Sequence, residues 1–122
     1  MGEASRIVLC RLDELPESGS RGFSLQTDAG TVDLFVVRRG GRVFAYLNSC
    51  PHTGAPLDWV PDRFLNPDGD HIQCATHDAL FRIEDGHCIA GPCAGAHLSP
   101  LRVVQDEGQL LLDSASLPPS RT

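Results

Sequence analysis

The chain has 122 residues, 41% of them apolar and 21% charged, which suits one globular domain and argues against disorder. Ten basic residues, all arginine, stand against sixteen acidic ones, a formal net charge of −6, so the chain is a poor match for nucleic acid and a better one for a basic protein partner. Five cysteines exclude a fully paired disulfide scaffold; no secretory leader and no run of about 20 apolar residues is visible, so a soluble cytoplasmic protein without membrane association is expected.

Read in chain order, the sequence predicts strands throughout. Arg6 to Leu12 is a short apolar-rich strand, with Cys10 expected as a small buried hydrophobe. Phe23, Leu25 and Thr27 alternate with polar neighbours, the pattern of a half-buried strand. Val32 to Arg38 and Arg42 to Leu47 are β-branched and aromatic runs joined by Gly40-Gly41, a strong hairpin signal because a two-residue turn requires positive φ. Residues 48 to 70 form a long irregular stretch rich in proline and glycine, of the kind that is functional when it occurs inside a compact domain. His71 to Cys74 is a further strand. Two more hairpins follow, Phe81 to Ile89 turning at Asp85-Gly86 and Arg102 to Leu112 turning at Glu107-Gly108. Residues 114 to 122 are expected to be a frayed tail, leaving one domain over 1–113. No capped helical pattern reaches ten residues, so an all-β antiparallel sandwich or barrel is expected.

Two loops carry metal-ligand residue types. The first reads Cys50-Pro51-His52-Thr53-Gly54-Ala55-Pro56-Leu57 and the second Cys74-Ala75-Thr76-His77-Asp78-Ala79-Leu80-Phe81. The pattern is C-x-H, 21 residues, then C-x-x-H. Two thiolates and two imidazoles satisfy one tetrahedral zinc. They equally satisfy a two-iron, two-sulfide cluster with both cysteines on one iron and both histidines on the other. The order Cys, His, Cys, His favours the cluster, since zinc spacing usually keeps like ligands together.

At these residues the chain resembles the Rieske iron–sulfur family, over roughly residues 5 to 113. The resemblance implies a β-sandwich base with a small cluster-binding subdomain, about residues 48–93, and one Rieske-type [2Fe-2S] cluster. Cys50 and Cys74 would ligate the buried iron, His52 and His77 the outer one, and the Gly91-Pro92 loop would cover the cluster's other side. Respiratory and photosynthetic members add a disulfide between the cluster loops; the matching positions here are Ala55 and Ala75, so the soluble ferredoxin type fits better. Those members also place a serine and a tyrosine toward the cluster sulfurs, where this chain has Ala79 and Phe81. Without those hydrogen bonds the reduced state is less favoured, and the potential is expected at the low end of the Rieske range, roughly −150 to 0 mV. Asp78 stands where a glycine is common, and the spacer is a few residues long, its extra segment around Asp58 to Asp70 expected to form a flap. Because each ligand histidine keeps a second ring nitrogen, the potential is expected to fall as pH rises through the oxidised-state pKa values.

No other residue calls for a ligand role. His71, His87 and His97 are expected outside the ligand set and Asn66 to Asp70 as a plain turn rather than a calcium loop; Cys88 and Cys93 are expected as thiols in a reducing compartment, with a small-loop disulfide between them as the alternative. No catalytic nucleophile or substrate pocket is indicated. The expected function is one-electron transfer from a reductase to an oxygenase or another redox enzyme. The alternatives are a small Rieske subunit of an enzyme complex such as nitrite reductase, a redox or iron sensor, and, for the metal, zinc.

Overall fold

In the computed structural model the residues described are 6–15, 19–27, 30–49, 64–66, 69–74, 79–91 and 95–113. They form ten strands and one 3-10 turn: β1 (Arg6–Arg11), the 3-10 turn (Leu12–Glu14), β2 (Gly19–Thr27), β3 (Gly30–Arg39), β4 (Arg42–Leu47), β5 (His71–Gln73), β6 (Leu80–Arg82), β7 (Cys88–Ala90), β8 (Pro100–Leu101), β9 (Val103–Asp106) and β10 (Gln109–Asp113). Every strand pairing is antiparallel, as the hairpin signals predict. No helix among the described residues is long and apolar enough to cross a membrane.

The strands sort into three sheets, β1-β10-β9, β2-β3-β4-β8 and β5-β6-β7. The four-stranded sheet is the middle layer because β3 is apolar on both faces. Its run Leu34-Phe35-Val36-Val37 is wholly buried, and side chains alternate across a pleated strand. Leu34 and Val36, with Ala45 of β4, pack against Cys10, Leu110 and Leu112 of the first sheet. Phe35 and Val37, with Tyr46, pack against Ile72, Phe81, Cys88 and Ile83 on the third. The two cores therefore lie on opposite faces of β3 and β4. Cys10 is buried in the first, as expected, and burial raises its thiol pKa.

The strand boundaries follow the sequence reading closely. The β3–β4, β6–β7 and β9–β10 hairpins form at the expected turns. Three features differ. The chain after β1 bends into the 3-10 turn, whose first backbone N–H, that of Arg11, is satisfied by the Glu14 carboxylate at 2.9 Å. The second strand begins at Gly19, ahead of its alternating part. The short β8, which pairs Leu101 with Ala45 and Pro100 with Tyr46, carries too few residues to show a period.

Candidate metal centre

The second motif sits on the hairpin of the smallest sheet. Strands β5 and β6 pair Ile72 with Phe81 and Gln73 with Leu80. The ladder continues one step further, where Cys74 N–H donates to the Ala79 carbonyl at 2.9 Å. That bond closes the connection whose sequence contains His77. Cys74 is fully buried, in a core cluster with Phe64, Ile72, Ala79 and Phe81. Of the four predicted ligands, Cys74 lies among the described residues; Cys50, His52 and His77 lie outside them, as do Ala55, Ala75, Asp78, Pro92 and Cys93.

A second segment lies flush against this hairpin. Leu80 pairs with Ala90, which brings Gly91 beside Ala79. Gly91 has φ +99°, and a Cβ there would stand 2.8 Å from the Ala79 Cα and 3.0 Å from its Cβ. Only glycine allows both that backbone and that approach. The chain thus leaves β7 against the residue that closes the second ligand loop, on the way into the Gly91-Pro92 loop. The entry to the first motif is also fixed: Asn48 N–H donates to Asp33 O at 2.9 Å and Ser49 N–H to Leu47 O at 3.0 Å.

Behind the hairpin an aromatic column ties the layers together. Phe64 stacks on Phe35 with ring centroids 4.3 Å apart and planes 5° apart, and Phe35 meets Tyr46 at 5.9 Å. The buried Tyr46 hydroxyl donates to the Ile83 carbonyl at 2.7 Å. Its ring rests on Gly86, where a Cβ would fall 2.8 Å from Tyr46 Cε1. Burial, then the charges of Asp85 and Glu84, raise the Tyr46 pKa far above the usual phenol value. This column corrects one expectation. Residues 64–66 do not belong to a flap: Phe64 is core, Gln73 N–H donates to its carbonyl at 2.9 Å, and Leu65 bridges Ile72. The only sequence signal was an aromatic residue inside a proline-rich stretch, which no periodicity supports.

Ala79 and Phe81 are buried and carry no hydroxyl. As the expected turn requires, Gly69 N–H donates to Asn66 O at 2.9 Å and the Asn66 side chain donates to Asp70 Oδ1 at 2.8 Å. His71 Nδ1 lies 2.9 Å from that same carboxylate oxygen, and these contacts hold the Asp70 pKa below the usual carboxylate range. Cys88 is buried, its Sγ donating to Ala90 O at 3.2 Å.

The Rieske [2Fe-2S] domain profile matches residues 5–109. The chain belongs to the Rieske [2Fe-2S] domain family. It is a ferredoxin-type Rieske domain and an electron carrier. The ferredoxin component of the alkene monooxygenase system of Xanthobacter autotrophicus is 29% identical over 112 residues, covering 92% of this chain and 84% of that one. The ferredoxin subunit of the 3-phenylpropionate/cinnamic acid dioxygenase of Photorhabdus laumondii is 25% identical over 108 residues, covering 88% and 93%. Among solved structures, the ferredoxin of carbazole 1,9a-dioxygenase from Nocardioides aromaticivorans superposes with a TM-score of 0.67 at 26% identity, covering 92% of this chain and 98% of that one. The cofactor of this Rieske domain is one [2Fe-2S] cluster, and Cys74, the one predicted ligand among the described residues, fits it. A buried cysteine whose N–H extends the β5–β6 ladder offers a soft sulfur donor screened from water, as an iron–sulfur centre requires.

Proposed function

We propose that this Rieske domain carries single electrons from a reductase to a terminal oxygenase in the cytoplasm, and that Cys50, His52, Cys74 and His77 hold its cluster. The observation that carries the ligand set is the burial of Cys74 where its own backbone N–H closes the C-x-x-H loop. The [2Fe-2S] group supplies one-electron oxidation and reduction when bound. In this reading residues 48–93 form the cluster-binding part. Cys50 and Cys74 hold the inner iron, and His52 and His77 hold the outer iron toward the partner. Gly91 keeps the neighbouring loop close against the second motif, and the buried Ala79 and Phe81 exclude water from it. The matched relatives are named as ferredoxin components of a monooxygenase system and of a dioxygenase, which favours a mobile carrier over a nitrite reductase subunit or a sensor.

The test is spectroscopic and functional. Purified protein is expected to carry two irons and two sulfides and, once reduced, to show a rhombic EPR signal. Cys50→Ser, His52→Ala, Cys74→Ser and His77→Ala are each expected to abolish that signal. The wild-type chain, and none of the four variants, is expected to restore product formation when added to a reductase and an oxygenase of the ring-hydroxylating class. Zinc in place of iron, or a full-strength signal in any of the four variants, overturns the ligand assignment.

A further inference from the structure

Three histidines stand outside the proposed ligand set, and two of them meet. Residues 86–88 run antiparallel to 96–98, with His87 opposite His97. The backbone bonds flank this pair: Cys88 N–H donates to Ala96 O at 2.8 Å, and Leu98 N–H donates to Gly86 O at 2.9 Å. This is the non-hydrogen-bonded register of an antiparallel pair, in which Cα atoms approach to about 4.5 Å and facing side chains are closest. Cys88 and Leu98, the next residue on each strand, are buried. The alternation of a strand therefore puts both imidazoles on the outward face. His87 is half-buried and His97 exposed, and with Asp85 and Pro100 they line an open cleft of about 320 Å³.

A separate observation sets the chemistry of one ring. His97 Nδ1 lies 3.0 Å from the Leu98 carbonyl oxygen. A carbonyl only accepts, so Nδ1 carries the proton and donates it, leaving Nε2 with its lone pair. An imidazole anchored by one N–H on a carbonyl, with the other nitrogen bare, is the arrangement by which proteins orient metal ligands. Asp85 adds negative charge at the rim. Its carboxylate pairs with the Arg82 guanidinium and accepts His87 N–H at 3.0 Å, which holds its pKa down to about 2.

We propose that His87 and His97 form a two-histidine clip for a divalent transition-metal ion of the zinc, nickel or copper class, separate from the cluster. Imidazole nitrogens bind such ions at about 2.0–2.1 Å, so two donors on one ion stand about 3 Å apart, a bite that facing residues in this register can close. Among the described residues no set of three His, Cys, Asp or Glu side chains converges on a metal position. Among the described residues the two imidazoles are the donors the clip uses, water completes the shell, and the ion exchanges with solution. His71 lies on β5, across the sheet, and is not part of the clip.

Zinc titrated calorimetrically into the intact, cluster-loaded protein tests the clip. One ion per chain is expected to bind and to be removed by chelator. His87→Gln and His97→Gln are each expected to weaken that binding by about tenfold or more, and His71→Gln to leave it unchanged. The reduced EPR signal is expected to be the same in all three variants, so failure of the clip is distinguishable from failure of the electron-carrier reading. No binding to the wild-type protein, equal affinity in either clip variant, or the same loss in His71→Gln overturns the proposal.

Discussion

Three buried side chains, Ala79, Phe81 and Tyr46, decide properties that can be measured directly. Ala79 and Phe81 flank the closed end of the second motif and offer no hydroxyl. A hydrogen bond favouring the reduced state by about 1 kcal/mol raises a one-electron potential by about 40 mV. The wild-type potential is therefore expected at roughly −150 to 0 mV, and Ala79→Ser and Phe81→Tyr are each expected to raise it. A redox titration above about +200 mV for the wild type, or a fall in both variants, contradicts this. Tyr46 is the chain's one tyrosine, so phenolate absorbance reports it alone. Burial raises its folded-state pKa above the unfolded value of about 10. A raised pKa contributes stability that is complete below the unfolded value and lost as pH rises through the folded one. Stability is therefore expected to fall as pH rises above about 10, with phenolate absorbance appearing together with unfolding. A reversible titration near pH 10 in the folded protein contradicts the buried hydrogen bond to Ile83.

At the scale of elements, β3 is the member on which both cores depend, and its two faces are separable. Leu34 belongs to the core under the first sheet and Phe35 to the core under the cluster hairpin. Leu34→Ala is expected to cost about 2–5 kcal/mol and Phe35→Ala about 3–5 kcal/mol, by denaturant unfolding. Only Phe35→Ala, which removes the stacking partner of Phe64, is expected to speed loss of the cluster chromophore under native conditions; equal loss rates contradict the division. Much of this architecture was legible. Gly40-Gly41, Asp85-Gly86 and Glu107-Gly108 announced three hairpins because turn chemistry is local, and the two C-x-H-type loops announced the family because ligand spacing is local too. The same continuous run, Leu34 to Val37, that predicts a strand also carries the mark of burial on both faces. What sequence could not convey was pairing at a distance. Phe64 reaches Phe35 across 29 positions, Gly91 needs its shape because of Ala79, and His87 faces His97 only because the chain returns. The individual residues looked unremarkable until the sheet was assembled.

The whole molecule is acidic by its sequence, ten arginines against sixteen carboxylates. Among the described residues, six arginines have local partners. Arg11 pairs with Asp13, Arg21 with Glu14 and Arg82 with Asp85. Arg38 donates to the Leu12 and Leu15 carbonyls, Arg39 donates to Asp70 O, and Arg42 lies over the Phe44 ring. The net charge of −6 is expected to steer encounter with a basic docking surface on a redox partner. Steering acts over a Debye length, about 10 Å at 0.1 M salt and about 3 Å at 1 M. In stopped-flow reduction of this ferredoxin by its reductase, the second-order rate constant is expected to fall by about tenfold or more between low salt and about 0.5 M. Reduction by a small neutral reductant is expected to be insensitive to salt. A protein–protein rate that stays flat or rises with salt contradicts a docking face governed by acidic charge, and leaves apolar contact as the force that assembles the complex.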